Sequence, residues 1–443
     1  MGKEEVELIP SGLITCFIND KEVRILKISP KQFIVRIADE IENIESVKIA
    51  FYEFNKYRYE EINIENFDVV NIEYNEFFLM YKIDVKDSIY EENVRRIFRD
   101  YNNYIMLKNF GFGSEFSENM VGYPANQDEC FYEYYDEQKM DWMNAIDMKK
   151  FSVDELEIAI KIDNHSLYRK YLDNDISSFK DYYFEKNYVK DSCSLKKKIN
   201  RLYIGNEFCH NLFPEENQLI EMLQKAINDK VEITLCFTYL RENYIEKNKN
   251  IIEKVYELCV KNSKTIEIVI NDWGMLDLIK DKKDYLKPIL GVLINKRKKD
   301  PRYIYKKGYF ESKKTLGKNS LNSELFAKFL KEYGIYRYEY ENCGYKIDIA
   351  KGKHSLQVPF YLTNLSQYCP LNAVCKNGNR ARQELVEHCA KYCMDYVFLY
   401  PKHLKMVGRY NSLFAFDDVV LKNEKLLKDY INEGIDRIVF NFI

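Results

Sequence analysis

The sequence predicts an α/β protein in which a TIM-barrel-like parallel (β/α) domain over 201–443 follows a small N-terminal β-barrel domain over 1–105. Three observations carry that prediction. Beyond residue 200, short runs rich in Val, Ile and Leu alternate with longer amphipathic stretches, the pattern of strands covered on both faces by crossover helices. Seven or eight such units fit into roughly 240 residues, the size of a TIM-type barrel; an open doubly wound sheet is the alternative arrangement. From about residue 10 to 85 the chain breaks instead into short Val-, Ile-, Phe- and Tyr-rich segments with no helical period. A chain of 443 residues is also too long for one ordinary core.

In the N-terminal part, "LITCFIND", "EVRILKIS", "QFIVRIA", "VKIAFYEF", "FDVVNIEY" and "FFLMYKIDV" read as strands. The stretch "IYEENVRRIFRDYNNYIM" reads as a helix with Val94, Ile97 and Phe98 on one face. Residues 106–200, charged and weakly periodic, are expected to form a helical connector. In the third region "RLYIG", "VEITLCF", "TIEIVIN", "ILGVLIN", "YRYEYE", "DYVFLYP" and "RIVFNF" are expected strands. "PEENQLIEMLQKAIND" places Leu219, Ile220, Leu223, Ala226 and Ile227 on one helical stripe, and "NIIEKVYELCVKN" and "WGMLDLIK" are further helices.

With 67 basic and 70 acidic residues, the net charge of −3 gives no global attraction to nucleic acid or anionic lipid, which leaves only local patches. The 37 tyrosines, with abundant Asn, Lys and Ile, match the coding bias of an AT-rich bacterial genome. No apolar run is long enough to span a bilayer, and the acidic opening "MGKEEVELIPSG" resembles neither a signal peptide nor a myristoylation site. No membrane insertion and a cytoplasmic location are expected. A reducing cytosol disfavours disulfides, so clustered cysteines there point to a metal or a cluster.

Four of the eleven cysteines crowd into "YCPLNAVCKNGNRARQELVEHCAKYC": Cys369, Cys375, Cys389 and Cys393. "RARQELVEHCAKYC" is full of helix formers, which would set Cys389 and Cys393 at i and i+4 on one face. Cys369 and Cys375 would come from the preceding loop. Four thiolates can hold a 4Fe-4S cluster or, alternatively, tetrahedral zinc; several could instead be small buried hydrophobes. Of the other seven cysteines, read as core or incidental, Cys209 is the first to check. His388 adjoins Cys389 but would point about 100° away on a helix.

In parallel α/β folds the site lies at the C-terminal ends of the strands, where "GNEFCHN", "INDWG" and "INKRKKDPR" fall. Asn271 and Asp272 could reach a ligand or cap the next helix. Trp273 could stack on a planar ligand or close the barrel. Arg297 and Arg302, in the cationic "KRKKDPR", suit bidentate contacts to an anion, although such charge density also marks a solvated loop. Gly111 and Gly113 in "GFGSEF" fall short of a dinucleotide pattern.

The segments "EITLCFTYLRENYIEKNKNIIEKVYELCVKNSKTIEIVINDWGMLDLIKD", "LGVLINKRKKDPR", the cysteine run and "KMVGRYNSLF" together resemble the collagenase-like peptidase family U thirty-two over about 200–443. The likeness is to its iron-sulfur branch, the oxygen-independent ubiquinone hydroxylation proteins. The resemblance implies a barrel with a 4Fe-4S cluster on four cysteines. It also implies hydroxylation of RNA or a quinone-like aromatic without molecular oxygen, in some members with oxygen drawn from prephenate, and a paired family subunit as partner. In the quinone branch one ligand lies well upstream of the other three, whereas here Cys369 is nearby. No H-E-x-x-H or G-x-S-x-G supports a peptidase. The runner-up is a nonenzymatic scaffold with a structural cluster or zinc. More faintly, "VRILKISPKQFIVRIADEIENIESVKIAFYEF" resembles a PilZ-type barrel. Ser29 matches that motif, but Lys27 and Gln32 stand where its acid or amide and its glycine belong, so an adaptor is expected rather than a cyclic di-GMP site.

Overall fold

A computed structural model of the chain describes residues 6–7, 13–37, 43–53, 56, 58–74, 78–110, 130–147, 156–189, 198–301, 316–379, 381–382, 384–400 and 404–443. They divide into two units, one drawn chiefly from 1–128 and the other chiefly from 129–443.

In the first unit, strands β1 (Val6–Glu7), β2 (Ile14–Ile18), β3 (Lys21–Ser29), β4 (Gln32–Ile37), β5 (Val47–Glu53), β6 (Arg58–Ile64), β7 (Phe67–Tyr74) and β8 (Leu79–Val85) make one antiparallel sheet. Its path runs β6-β5-β2-β3-β4-β8-β7, with β1 paired to β3. Among the described residues β6 and β7 stay at opposite ends, so the expected barrel is an open half-barrel. The alternation in β4 shows why the strands form: Phe33, Val35 and Ile37 are buried while Arg36 faces out. Helix α1 (Ser88–Phe110) buries Val94 and Ile97 in the same core, as its spacing predicts. Tyr90 OH donates to Ser29 O at 2.8 Å. The sequence hid β6, "RYEEINI", because its charges break the apolar pattern and most of it is only half-buried.

The second unit opens with β9 (Cys130–Phe131) and helix α2 (Tyr132–Asn144). Strand β10 (Glu157–Ile162) follows, then β11 (Arg201–Ile204), β12 (Glu232–Cys236), β13 (Ile266–Ile270), β14 (Leu286–Leu290), β15 (Glu339–Glu341) and β16 (His354–Val358). An antiparallel insertion of β17 (Phe360–Leu365), β18 (Tyr396–Leu399), β19 (Met406–Arg409) and β20 (Ser412–Phe416) precedes the last strand, β21 (Ile435–Phe440). Strands β10 to β14 pair in chain order, and β15, β16, β21 and β10 pair likewise, all parallel. The two edges meet at one parallel bridge between Leu290 and Tyr338, with Leu290 N donating to Arg337 O at 3.0 Å. The result is an eight-stranded parallel sheet, nearly closed, consistent with a TIM-like barrel.

Helices α3 (His165–Asp173) and α4 (Ile176–Lys186) follow β10, α5 (Glu216–Asn228) follows β11, and α6 (Ile245–Lys261) follows β12. Helices α7 (Trp273–Leu278) and α8 (Glu324–Glu332) come after β13 and β14, and α9 (Pro370–Asn377) lies in the insertion. Helices α10 (Val419–Lys422) and α11 (Glu424–Glu433) lead into β21. Ala159, Tyr203, Cys236, Val269, Ile289 and Val439 pack as one interior cluster.

Three readings change. The barrel begins at Glu157, inside the stretch read as a helical connector, so that stretch supplies the first strand. "DYVFLYP" belongs to the antiparallel insertion, and "ILGVLIN" is strand only to Leu290. Among the described residues no helix is long and apolar enough to cross a membrane.

Candidate functional site

The chain leaves β11 through Gly205, whose φ of +111° and whose approach to Cys236 O leave no room for a Cβ. Buried Asn206 then shapes the loop: its Oδ1 accepts from Phe208 N and Cys209 N, both at 2.8 Å, and its Nδ2 donates to Asp163 O at 2.9 Å. Cys209 is thereby fixed at the C-terminal end of the barrel. Two amides tie it to the insertion. Asn411 Nδ2 donates to Phe208 O at 2.8 Å and Ser366 O at 2.6 Å, and Asn211 Nδ2 donates to Val386 O at 3.1 Å.

Cys369 caps α9, with Sγ accepting from Asn372 N at 3.4 Å and donating to Tyr410 O at 3.3 Å. Pro370 at the first helical turn and left-handed Gly378 (φ 62°) bound that helix. The helix expected across 380–393 does not form among the described residues of that stretch. Among them the next helical turn beyond Gly378 is Tyr392–Met394, preceded by Lys391 at φ 59°. Propensity favoured a helix, but the contacts of Asn211 and Arg409 hold this segment in an irregular path. Cys389 and Cys393 therefore do not share a helical face. Arg409 Nε reaches Cys393 O at 3.4 Å, so the turn that joins β19 to β20 touches the segments of Cys209, Cys369 and Cys393 together.

Four thiols influence one another electrostatically: Cys209, Cys369, Cys389 and Cys393. Burial pushes the Cys209 thiol up to about 12, and the neighbouring Cys369 and Cys389 add to it. Burial also raises Cys369, with Cys389 adding, and raises Cys393, which Arg409 opposes and the other three thiols reinforce. Every pairing among the four is thus close enough for one charge to act on the next. Cys375 sits within α9, half-buried, about 9 Å along the axis from Cys369. Among the described residues no group of three or more His, Cys, Asp or Glu is arranged to hold a metal ion, neither the predicted Cys369, Cys375, Cys389 and Cys393 nor the set that includes Cys209.

A cavity of about 510 Å³ opens at the ends of β12, β13 and β14 and is walled by β17. Asn271 lines it, held by donation from Nδ2 to Glu207 Oε2 at 2.9 Å and Phe237 O at 3.2 Å. Glu207 is itself fully buried and paired with Lys161 Nζ at 2.5 Å. Arg297 also lines the cavity; its Nη2 donates to Glu341 O, while the buried Nη1 has no hydrogen-bond partner. Arg241 donates to Tyr239 OH and Gln367 O and so joins two cavity walls that lead to the thiols. Cys369 lies two residues beyond Gln367, and Tyr239 O contacts His210 Nε2 at 2.8 Å.

The other strand-end residues divide differently. Asp272 is the cap of α7, accepting from Met275 N at 2.9 Å and also from Leu240 N, so its role is structural. Trp273 is 41% exposed and meets Phe329 edge-on at 5.2 Å, so it neither closes the barrel nor lines the cavity. Arg302, Gly111 and Gly113 lie outside the described residues.

A second cavity, about 590 Å³, is lined by Cys389 together with His165, His210 and His388. Burial and Arg241 depress His210 to about 4, so it is neutral near pH 7.

Asn206, Asn411 and Arg409 are the functional supports that sequence reading missed. The available signals were a Gly-Asn pair directly after a strand and the tight "GRYN" turn.

No family model matches the sequence, and no curated protein matches it. A crystal structure of an uncharacterised Legionella protein is similar at 12% identity and a TM-score of 0.16, over 22% of this chain and 94% of that one. A likeness that slight carries no argument about fold or function.

Proposed function

We propose that the chain is an iron-sulfur protein whose 4Fe-4S cluster is held by Cys209, Cys369, Cys389 and Cys393 at the C-terminal end of a TIM-type barrel. Its role in this reading is oxygen-independent hydroxylation or a related modification of RNA or a small aromatic in the adjoining cavity. What supports the reading is that four thiols from separate segments, a strand-end loop, a helix cap and an irregular return, act on one another's charge. The donor set fits the group, because four sulfurs and no nitrogen or oxygen donor suit iron-sulfur ligation. Tetrahedral zinc on the same four sulfurs is the alternative occupant, and metal content separates the two.

When bound, such a cluster supplies one-electron chemistry. The chain's own residues do the rest. Binding requires the raised thiols to lose their protons, and Arg409, the one cation opposing the rise at Cys393, favours that loss. Arg241 ties Tyr239 to Gln367, two residues of the cavity lining, and Glu207 accepts from the Asn271 amide that lines it too.

Anaerobic purification, with iron and sulfide counted per chain, tests the reading. About four irons and brown absorbance near roughly 400 nm are expected for the wild type. Cys209→Ser and Cys389→Ser should lose them, and Cys375→Ser should keep them. A colourless protein with one zinc per chain, or full iron retention in Cys209→Ser, overturns it in favour of a scaffold or of the Cys375 set.

A further inference from the structure

The two cavities at this end of the barrel are similar in size and opposite in electrostatic character. The cavity beside Cys389 balances Lys247 and Lys391 against Glu215 and Glu387. The cavity at Asn271 has Lys296, Arg297 and Lys299 in its lining and no acid. Glu341 engages two of those cations from outside the lining, accepting from Lys299 through its carboxylate and from Arg297 through its backbone oxygen. Arg297 Nη1 is buried, with no hydrogen-bond partner among the described residues. The rest of the lining is of two kinds. Asn271, Asn295, Asn364 and Gln367 present amides, and Val292, Leu293, Leu362 and Leu365 present an apolar wall.

We infer that this cavity binds a small organic anion, with a carboxylate or phosphate group toward Arg297 and Lys296 and a carbon body against the leucine wall. A guanidinium beside a second cation is the usual receptor for such oxyanions, and the volume suits a small molecule. A polynucleotide is disfavoured, because its phosphates lie on an outer backbone whereas Asn271 and Asn295 of this lining are buried. Calling the anion a substrate rests on the iron-sulfur reading; the binding itself does not.

Calorimetric titration of the full chain with benzoate, phenyl phosphate and neutral benzamide tests the inference, since the three share a ring and differ in the head group. Binding of benzoate or phenyl phosphate is expected, with benzamide at least tenfold weaker; whichever anion binds more tightly identifies the head group. Arg297→Gln should weaken that binding at least tenfold and Lys296→Gln, at an exposed position, several-fold. Cys209→Ser should bind as the wild type does, which separates failure here from failure of the cluster assignment. Equal binding of benzamide, no binding of either anion, or unchanged affinity in both cavity variants overturns the inference. So does a single-stranded RNA oligonucleotide that binds more tightly than either anion and loses that binding in Arg297→Gln.

Discussion

At the N-terminal end of the barrel, Arg437 uses its whole guanidinium: Nε donates to Glu157 at 2.7 Å, and Nη1 and Nη2 to Glu267 at 2.7 and 3.1 Å. Tyr203 OH, at 2.9 Å, completes its shell, Arg201 joins the same two carboxylates, and Arg337 pairs bidentately with Asp436. At the C-terminal end Arg297 is also held by protein, but among the described residues its Nη1 has no hydrogen-bond partner, and neither do the buried hydroxyls of Thr238 and Tyr410. Equal chemistry is thus satisfied at one end and left open at the other. A saturated network specifies and holds the fold, whereas the unsatisfied groups fall at the end that carries the cavity.

The strongest way to break that contrast is to remove one arginine from each end. Arg437→Met strands two half-buried carboxylates, Glu157 and Glu267, with Arg201 and Arg337 as their remaining cations, and is expected to cost about 3 kcal/mol in denaturant unfolding. Arg297→Gln relieves an unpartnered donor and should cost no more than about 1 kcal/mol. If both variants lose stability alike, the two ends do not differ in the way described.

Acid sharpens the same contrast at the N-terminal end. His354 is fully buried, stacked on Tyr338 at 4.6 Å, with Nδ1 accepting from Tyr338 N at 3.2 Å. Burial first, then Arg337, depresses it to about 4, with Asp436 and two backbone oxygens opposing. Because the folded value lies below the unfolded one, the unfolded chain binds more protons in acid. The contribution is intact above about pH 6.5 and is lost as pH falls toward 4, up to about 3 kcal/mol. Glu267 behaves likewise at lower pH. Burial would raise it, but Arg437 and Arg201 hold it at about 2, so its contribution erodes only below about pH 4. Unfolding measured from pH 7 to 4 should therefore show a loss that His354→Gln removes; an unchanged slope in that variant refutes the assignment.

How much of this was legible beforehand follows from where the information lies. The strands of the barrel and the helix stripe through Leu219 and Leu223 were readable because period and burial are local. Strand β10, "EIAIKI", was missed because Lys161 and Glu157 interrupt it, and both turn inward to buried partners that no local pattern announces. The helix expected through the cysteine run lost to tertiary contacts, and Cys209, the thiol that acts electrostatically on Cys393, is held by Asn206 and Asn411 from far along the chain, where no local pattern announces it. Asp272 resolved as a cap because a carboxylate ahead of a helix has local work to do, while Asn271 one residue earlier faces the cavity.

A further substitution tests whether the cavity floor is as rigid as its hydrogen bonds imply. Gly291 follows β14, and a Cβ there would stand 2.1 Å from Asn271 Oδ1 and 2.7 Å from a methyl of Val269. Asn271 cannot simply swing aside, since its Nδ2 is bonded to both Glu207 and Phe237 O and its Oδ1 accepts from Leu293 N at 3.4 Å. Gly291→Ala is accordingly expected to cost about 1–3 kcal/mol through overpacking. It should also weaken anion binding, because the displaced amide lines the site. It should leave the iron content alone, since no thiol touches Gly291. A variant that kept wild-type stability and anion affinity would mean the Asn271 amide is free to rotate, and the C-terminal end would then be soft where the N-terminal end is locked.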